Sequence, residues 1–419
     1  MRKFAFIFCL FFSGKLIAQS PAFLTIKNPS STERIDELII LKKTFLEKKI
    51  GKKLEAKFIT IKKGNNLLTV QFDDIDKDGQ WDEAAILYSF KPKETIRFQI
   101  NITNQTSIID IPVRAYVRHR KKDSNNKFGI NLIIDTMPIN NIPTDFSTQR
   151  LPPYLTEGPA WENDKVGFRK YFDVRNANDI WGKTTKNMVL DFVGTNPDSS
   201  YHNLHWWGMD ILKVGKSLGA GGLALSIKKN NGKDTLIRLG ANAKVIYKQL
   251  ANGPLRIVFT ITYTDMKLTE VKEPITVVEQ ISIWGGQYFY ENKVTIQTAA
   301  KDVKIVTGIP VFYKVTQDSF TVADAKVFYT YGNQSENKDE LGLAIVTSNN
   351  CFPRSEKYEA YVTDITNSYL VVSDNDKKNE FIYRSYACWG RSQKVFTKQY
   401  SFIKFLKQQA LNFLPVNIQ

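Results

Sequence analysis

The chain has 419 residues, with 58 Lys and Arg against 42 Asp and Glu, a formal net charge of +16. That length predicts two domains or one large β domain with a smaller companion, and no run, the short apolar one at the start included, reaches the roughly 20 apolar positions of a membrane-spanning helix. The positive field attracts polyanions, but no helix-turn-helix, zinc-finger or ribonucleoprotein pattern is present, which argues against nucleic acid.

From the first residues onward, Arg2 and Lys3 precede an unbroken apolar run, Phe4 to Phe12, and Leu16-Ile17-Ala18 leads into a cleavage position. This is the secretory pattern, so residues 1–18 are expected to be a signal peptide and the mature protein periplasmic or secreted. Losing that segment removes three basic residues and no acid, which takes the net charge from +16 to +13. Cys9 lacks the small-residue box of a lipoprotein. The two remaining cysteines, Cys351 and Cys388, could pair in an oxidising compartment.

Period-two alternation over 57–61, 67–72, 85–90 and 95–102 predicts four short strands. Between the second and third lies Asp74-Ile75-Asp76-Lys77-Asp78-Gly79-Gln80-Trp81-Asp82. Acids at positions 1, 3, 5 and 9 with Gly at 6 resemble a calcium loop, and Ala85 stands where a bidentate Glu would complete it. The reading leaves two alternatives, a structural calcium site on Asp74, Asp76, Asp78 and Asp82, or an acidic turn. The basic run 114–122, with His119 inside it, is read as a solvated strand edge.

A polar, proline-punctuated stretch over about 140–159 marks the expected boundary, giving a small β-sandwich over 19–149 and a large antiparallel β-sandwich over 150–419. Further strands are predicted over 255–264, with a hairpin of 275–284 and 288–296 around Gly285-Gly286. Phe402, Phe405, Leu406, Ala410, Leu411 and Phe413 have the spacing of one amphipathic C-terminal helix. The fold class is therefore mainly β, two stacked antiparallel sandwiches, the larger supersandwich-like, with a terminal helix.

Two clusters carry candidate chemistry. In 161–171, Trp161, Glu162, Arg169 and Tyr171 bring an aromatic ring, an acid and a guanidinium together, and on a strand Arg169 and Tyr171 share one face. Arg169 could grip a carboxylate with both nitrogens, or the segment could be a salt-bridged surface strand. In 201–210, Tyr201, His202, His205, Trp206, Trp207 and Asp210 stand together, followed by Lys213 and a glycine-rich run. Histidine exchanges protons near neutral pH, and Trp rings offer flat faces to sugars. Core histidines are the competing reading, and a zinc site through His202 and His205 ranks below proton transfer. The glycine run lacks phosphate-loop spacing.

The segments Gly158-Pro159-Ala160-Trp161-Glu162-Asn163-Asp164, Phe168-Arg169, Asp179-Ile180-Trp181-Gly182-Lys183, Tyr201-His202 through Gly208-Met209-Asp210 and Val214 to Gly222 together resemble one family. It comprises exported proteins, long labelled as of unknown function, encoded in polysaccharide-utilisation gene clusters, and the chain looks most like its ulvan oligosaccharide dehydratases. The resemblance implies loss of water from a non-reducing-end uronic acid to leave a 4,5-unsaturated sugar. The substrate it implies is an acidic, sulfated oligosaccharide, and no cofactor is required. Such an elimination needs a cation on the C6 carboxylate, a base for the C5 proton and an acid for the departing hydroxyl. Arg169, His202 or His205, and Tyr201 are the respective candidates, with Trp161, Glu162, Tyr171, Trp206, Trp207 and Lys213 as candidate substrate contacts. A polysaccharide lyase that cuts the chain and a non-catalytic glycan binder are the alternatives.

Overall fold

The computed structural model describes residues 21–419 except 104–110, 229–231, 233, 242, 269–270, 301–302, 313, 349–353, 359–364 and 374–379. The expected signal peptide therefore lies outside the described residues, as does Cys351. Cys388 is buried in the core, and burial pushes its thiol up.

The first layer pair follows from alternation. Thr95–Ile102 turns Ile96, Phe98 and Ile100 inward and leaves Thr95 and Arg97 in water, the pattern of a half-buried strand. It lies in a five-stranded sheet ordered Asn417–Ile418, Ala22–Lys27, Thr95–Ile102, Ile59–Lys63, Asn66–Leu67. A three-stranded sheet of Arg34–Lys42, Glu83–Phe90 and Gln71–Asp73, with the helix Lys43–Ile50, contributes to the same core of Leu24, Ile39, Leu46, Ile61, Ile86 and Phe98.

The larger assembly is built on a nine-stranded antiparallel sheet. Its order is Thr316–Val322, Ala325–Gly332, Leu341–Ser348, Glu380–Trp389, Phe289–Gln297, Val271–Trp284, Arg256–Leu268, Lys244–Asn252, Ile134–Thr136. Two five-stranded sheets share one large apolar core with it. One runs Asp234–Arg238, Leu223–Lys228, Val303–Phe312, Ile365–Val372, Arg354–Tyr358. The other runs Gly208–Asp210, Asn178–Lys183, Val166–Lys170, Ala160–Asn163, Ala115–Arg118 and carries the candidate site. The molecule is thus mainly β and sandwich-like, with the expected helix near its C-terminus.

That helix, Gln399–Leu411, buries Phe402, Leu406 and Ala410 in an apolar cluster with Tyr329, Tyr331 and Tyr386 of the nine-stranded sheet. Gly342 makes room for it, since a Cβ there would stand 2.5 Å from the Phe402 ring. The predicted hairpin is present as Val271–Trp284 and Phe289–Gln297, paired from Thr276 to Ser282.

Strand pairing crosses the expected division at 149/150. Ala115–Arg118 pairs with Ala160–Asn163, Ile134–Thr136 pairs with Lys244–Asn252, and Asn417–Ile418 returns to Ala22–Lys27. The basic run is also not a solvated edge. Arg118 and His119 are fully buried; Arg118 donates to Leu155 O and Thr156 Oγ1, and His119 lies 2.9 Å from Asp135. Buried guanidinium groups are among the ties that join the sandwiches. Buried Arg34 donates to Asn28, Glu37, Asn412 O and Leu414 O, and Arg256 pairs with Asp73 and Glu83.

Candidate functional site

Register builds the site before any side chain is considered. In the five-stranded sheet that carries it, Arg169 stands opposite Asp179, and Trp181 opposite Asp210. Because alternate residues share a face, Arg169, Asp179 and Asp210 project from one side, while Phe168, Ile180 and Met209 enter the core on the other. The chain after Lys183 folds back over the outer side and buries Val189, Leu190, Val193 and Trp207 with Ala160 and Trp181. The charged face is therefore roofed rather than open.

Under that roof lies a dense ionic cluster. Arg169 Nη2 donates to Asp179 Oδ2 and to Asp210 Oδ2, 2.7 Å each, and Nη1 donates to the Tyr201 hydroxyl at 3.2 Å. The Tyr171 hydroxyl donates to Asp179 Oδ2 at 2.6 Å. Glu157 adds a carboxylate 3.5 Å from Arg169 and accepts from Arg175 at 2.6 Å, while Asp173 holds Arg175 from the other side. Burial opposes the charge on Arg169, but Tyr171, Asp179, Tyr201 and Asp210 outweigh it and hold the guanidinium ionised. Burial, reinforced by neighbouring Asp179, drives the Asp210 carboxyl well above its usual range.

The backbone feeding Glu157 into this cluster is strained. Thr156 and Glu157 have φ of 53° and 65°, two consecutive left-handed residues that are not glycine. Each such residue costs about 1–2 kcal/mol. The fully buried Arg118 holds the bend through Leu155 O and Thr156 Oγ1. Strain maintained by surrounding bonds is a feature of functional sites.

The histidines mark the mouth. His202 is exposed, its Nδ1 lies 3.6 Å from Asp210 Oδ2, and its ring centroid is 4.6 Å from that of Tyr201. Partial burial, then the Arg169 charge, lowers its pKa below the ordinary value, so the imidazole is neutral at pH 7. Burial raises the Tyr201 hydroxyl, which keeps its proton. His205 opens a two-residue turn: its N–H and C=O exchange bonds with Gly208 at 2.9 and 3.1 Å. Gly208, at φ 128°, is required there, because a Cβ would sit 1.7 Å from Gly182 O. The turn points Trp207 inward, stacked beside His205, and leaves Trp206 in water. His205 Nε2 donates to Ser200 O at 2.9 Å. Tyr201, His205, Trp206 and Trp207 line a pocket of about 260 Å³ with Phe192 and Asn196.

The other expected contacts fare differently. Trp161 is fully buried between Phe168, Phe259 and Tyr290, so it cannot stack on a sugar. Glu162 is equally buried; it pairs with Lys183 and accepts the N–H groups of Val189 and Leu190 at 2.6 and 2.9 Å. It anchors the roof. Tyr171 and Trp207 are buried too, and Lys213 is half-buried and outside the pocket lining. Arg169 shares the expected face with Tyr171, but its nitrogens are taken by protein carboxylates and hydroxyls, so it does not face a ligand directly. Asp179, Glu157 and Arg175 were missed as site residues, and Asp210 was placed in its cluster without a role toward Arg169, because only strand register and the bend at 156–158 bring them to Arg169.

In the aspartate loop, carboxylate oxygens of Asp74, Asp76 and Asp78 lie within 4.8 Å of one another, a donor set suited to a hard cation. Asp82 does not join them. Its Oδ2 accepts from the N–H groups of Ile75 and Asp76 and shapes the turn.

A family model described as a domain of unknown function, DUF4861, matches residues 26–417. The chain belongs to the DUF4861 family. It is 25% identical over 417 residues to uncharacterized protein P7 of Formosa agariphila, covering 94% of this chain and 93% of that protein. An α-mannosidase of Enterococcus faecalis V583 is similar in fold, with TM-score 0.50 and 9% identity over 95% of this chain and 46% of the mannosidase. A glycosyl hydrolase family 38 protein of Enterococcus faecalis gives 0.47 at 9% identity, over 95% of this chain and 47% of that one. The chain thus spans about half the length of these solved structures, and at such identity the likeness concerns architecture alone. Among the described residues, no helix is long and apolar enough to cross a membrane.

Proposed function

We propose that this DUF4861 protein is an exported carbohydrate-active lyase that removes water from the non-reducing-end uronic acid of ulvan-type oligosaccharides. The observation that carries the reading is a neutral, exposed His202 beside a protonated Tyr201, both set over the buried Arg169–Asp179–Asp210 cluster. Those are the protonation states a base and an acid need at neutral pH. The substrate is supplied by the sequence resemblance.

In this reading His202 takes the C5 proton, the C5–H pair becomes the C4–C5 double bond, and the C4–O bond breaks. Tyr201 protonates the departing oxygen, which leaves as water. The proton on His202 then returns to Tyr201, whose ring it touches, so the protein ends unchanged. Asp210 orients His202, and Arg169 positions Tyr201 while stabilising it should it lose its proton. Arg175, with 30% of its side chain exposed, is the cluster's solvent-reachable guanidinium and meets the C6 carboxylate.

The test is ultraviolet absorbance of the new double bond on ulvan oligosaccharides ending in glucuronic or iduronic acid. Wild-type protein should generate it, and Tyr201→Phe should slow it by about 10²-fold. Binding without any absorbance change would make the protein a glycan binder instead.

A further inference from the structure

We propose that Phe192 and Trp206 form a stacking platform for a second pyranose ring, the sugar attached to the reacting uronic acid. This deepens the dehydratase reading and rests on it.

Both rings are large, apolar and exposed, Phe192 at 45% and Trp206 at 64%. Single exposed apolar residues are ordinary, but these two brace each other, with ring centroids 5.8 Å apart and planes within 25°. Each is also fixed from behind. Trp206 rides on the two-residue turn closed by His205 and Gly208, whose geometry admits only glycine at 208. Phe192 begins a turn in which its carbonyl accepts from Thr195 N and Thr195 Oγ1, at 3.3 and 2.7 Å. Two pre-set aromatic faces in water lose little freedom when a ligand covers them, which is the condition for useful binding energy.

Their location supplies the occupant. Phe192 and Trp206 line the same pocket as Tyr201 and His205, so a glycan with one end at Tyr201 passes its next ring over them. The C–H face of a pyranose is apolar and flat, which suits an aromatic surface, and its rim hydroxyls stay in water. The platform therefore favours oligosaccharides over single-ring uronides and adds to affinity rather than to the chemical step.

The experiment compares an ulvan tetrasaccharide carrying a saturated terminal uronic acid with methyl glucuronide, using calorimetry and steady-state kinetics. Wild-type protein should bind the tetrasaccharide about tenfold more tightly, the scale of one aromatic hot spot. Trp206→Ala and Phe192→Ala should each erase most of that advantage, raising KM for the tetrasaccharide while kcat changes little. Circular dichroism confirms folding, which two exposed side chains should not disturb. An advantage that survives both substitutions overturns the platform and leaves the dehydratase reading intact. Failure of wild-type protein to bind either sugar overturns both.

Discussion

Two aromatic and charged segments attract the same attention in the sequence, 161–164 and 201–207, and the fold uses them in opposite ways. Trp161 and Glu162 lie on Ala160–Asn163, a strand covered on both faces, where Trp161 fills the core and Glu162 anchors the roof through Lys183, Val189 and Leu190. Tyr201, His202, His205 and Trp206 lie on the roof itself, where loop geometry lets them reach solvent. Residue types alone do not separate support from chemistry. What separates them is whether the backbone beneath is sandwiched between layers or passes over them.

The largest effect that would sharpen this contrast is on stability. Glu162→Ala should cost about 3–5 kcal/mol, the scale of breaking a buried ion pair, because it strands Lys183 and two roof N–H groups. Urea unfolding would measure it, and a loss below 1 kcal/mol would place Glu162 outside the framework. His202→Ala should do the reverse, leaving unfolding near wild type while lowering turnover by about 10²-fold. If that variant unfolds early, His202 is part of the framework and the contrast collapses.

A smaller, pH-dependent effect follows from the two shifts at the mouth. His202 works as a base only when neutral, and its pKa is lowered, so the rate should fall on the acid side with a midpoint below the ordinary 6.5. Tyr201 is raised above 10, so no alkaline loss should come from it below pH 10. A profile of kcat/KM with an acid midpoint above 6.5 would remove His202 from the base role.

Much of the architecture was legible in sequence. The alternation in 95–102, the hairpin around Gly285-Gly286 and the helical spacing from Phe402 to Phe413 each report a local pattern that survives folding, while 85–90 is a strand as expected but its burial does not alternate. The pairing of Arg169 with Tyr171 on one face was legible for the same reason. Their partners were not. Asp179 and Asp210 reach Arg169 through register across three strands, and Glu157 through a strained bend at Thr156. Trp161 and Glu162, expected as substrate contacts, are buried instead, and nothing local reports that a strand is roofed on its outer face.

The smallest expected effect concerns the aspartate loop, remote in sequence from both segments. If calcium sits on Asp74, Asp76 and Asp78, adding it should raise the melting temperature by about 2 °C over chelator-treated protein. The same shift should vanish in Asp76→Asn, whereas equal melting in calcium and chelator would make the loop a turn only.

The most direct test of the central claim is the mass of the product. Purified protein incubated with a defined ulvan oligosaccharide bearing a saturated terminal uronic acid should yield one species lighter by a single water, with chain length unchanged. Shorter fragments would mean that the sugar chain is cut, and an unchanged mass at concentrations that saturate binding would mean that the Tyr201–His202 mouth performs no elimination.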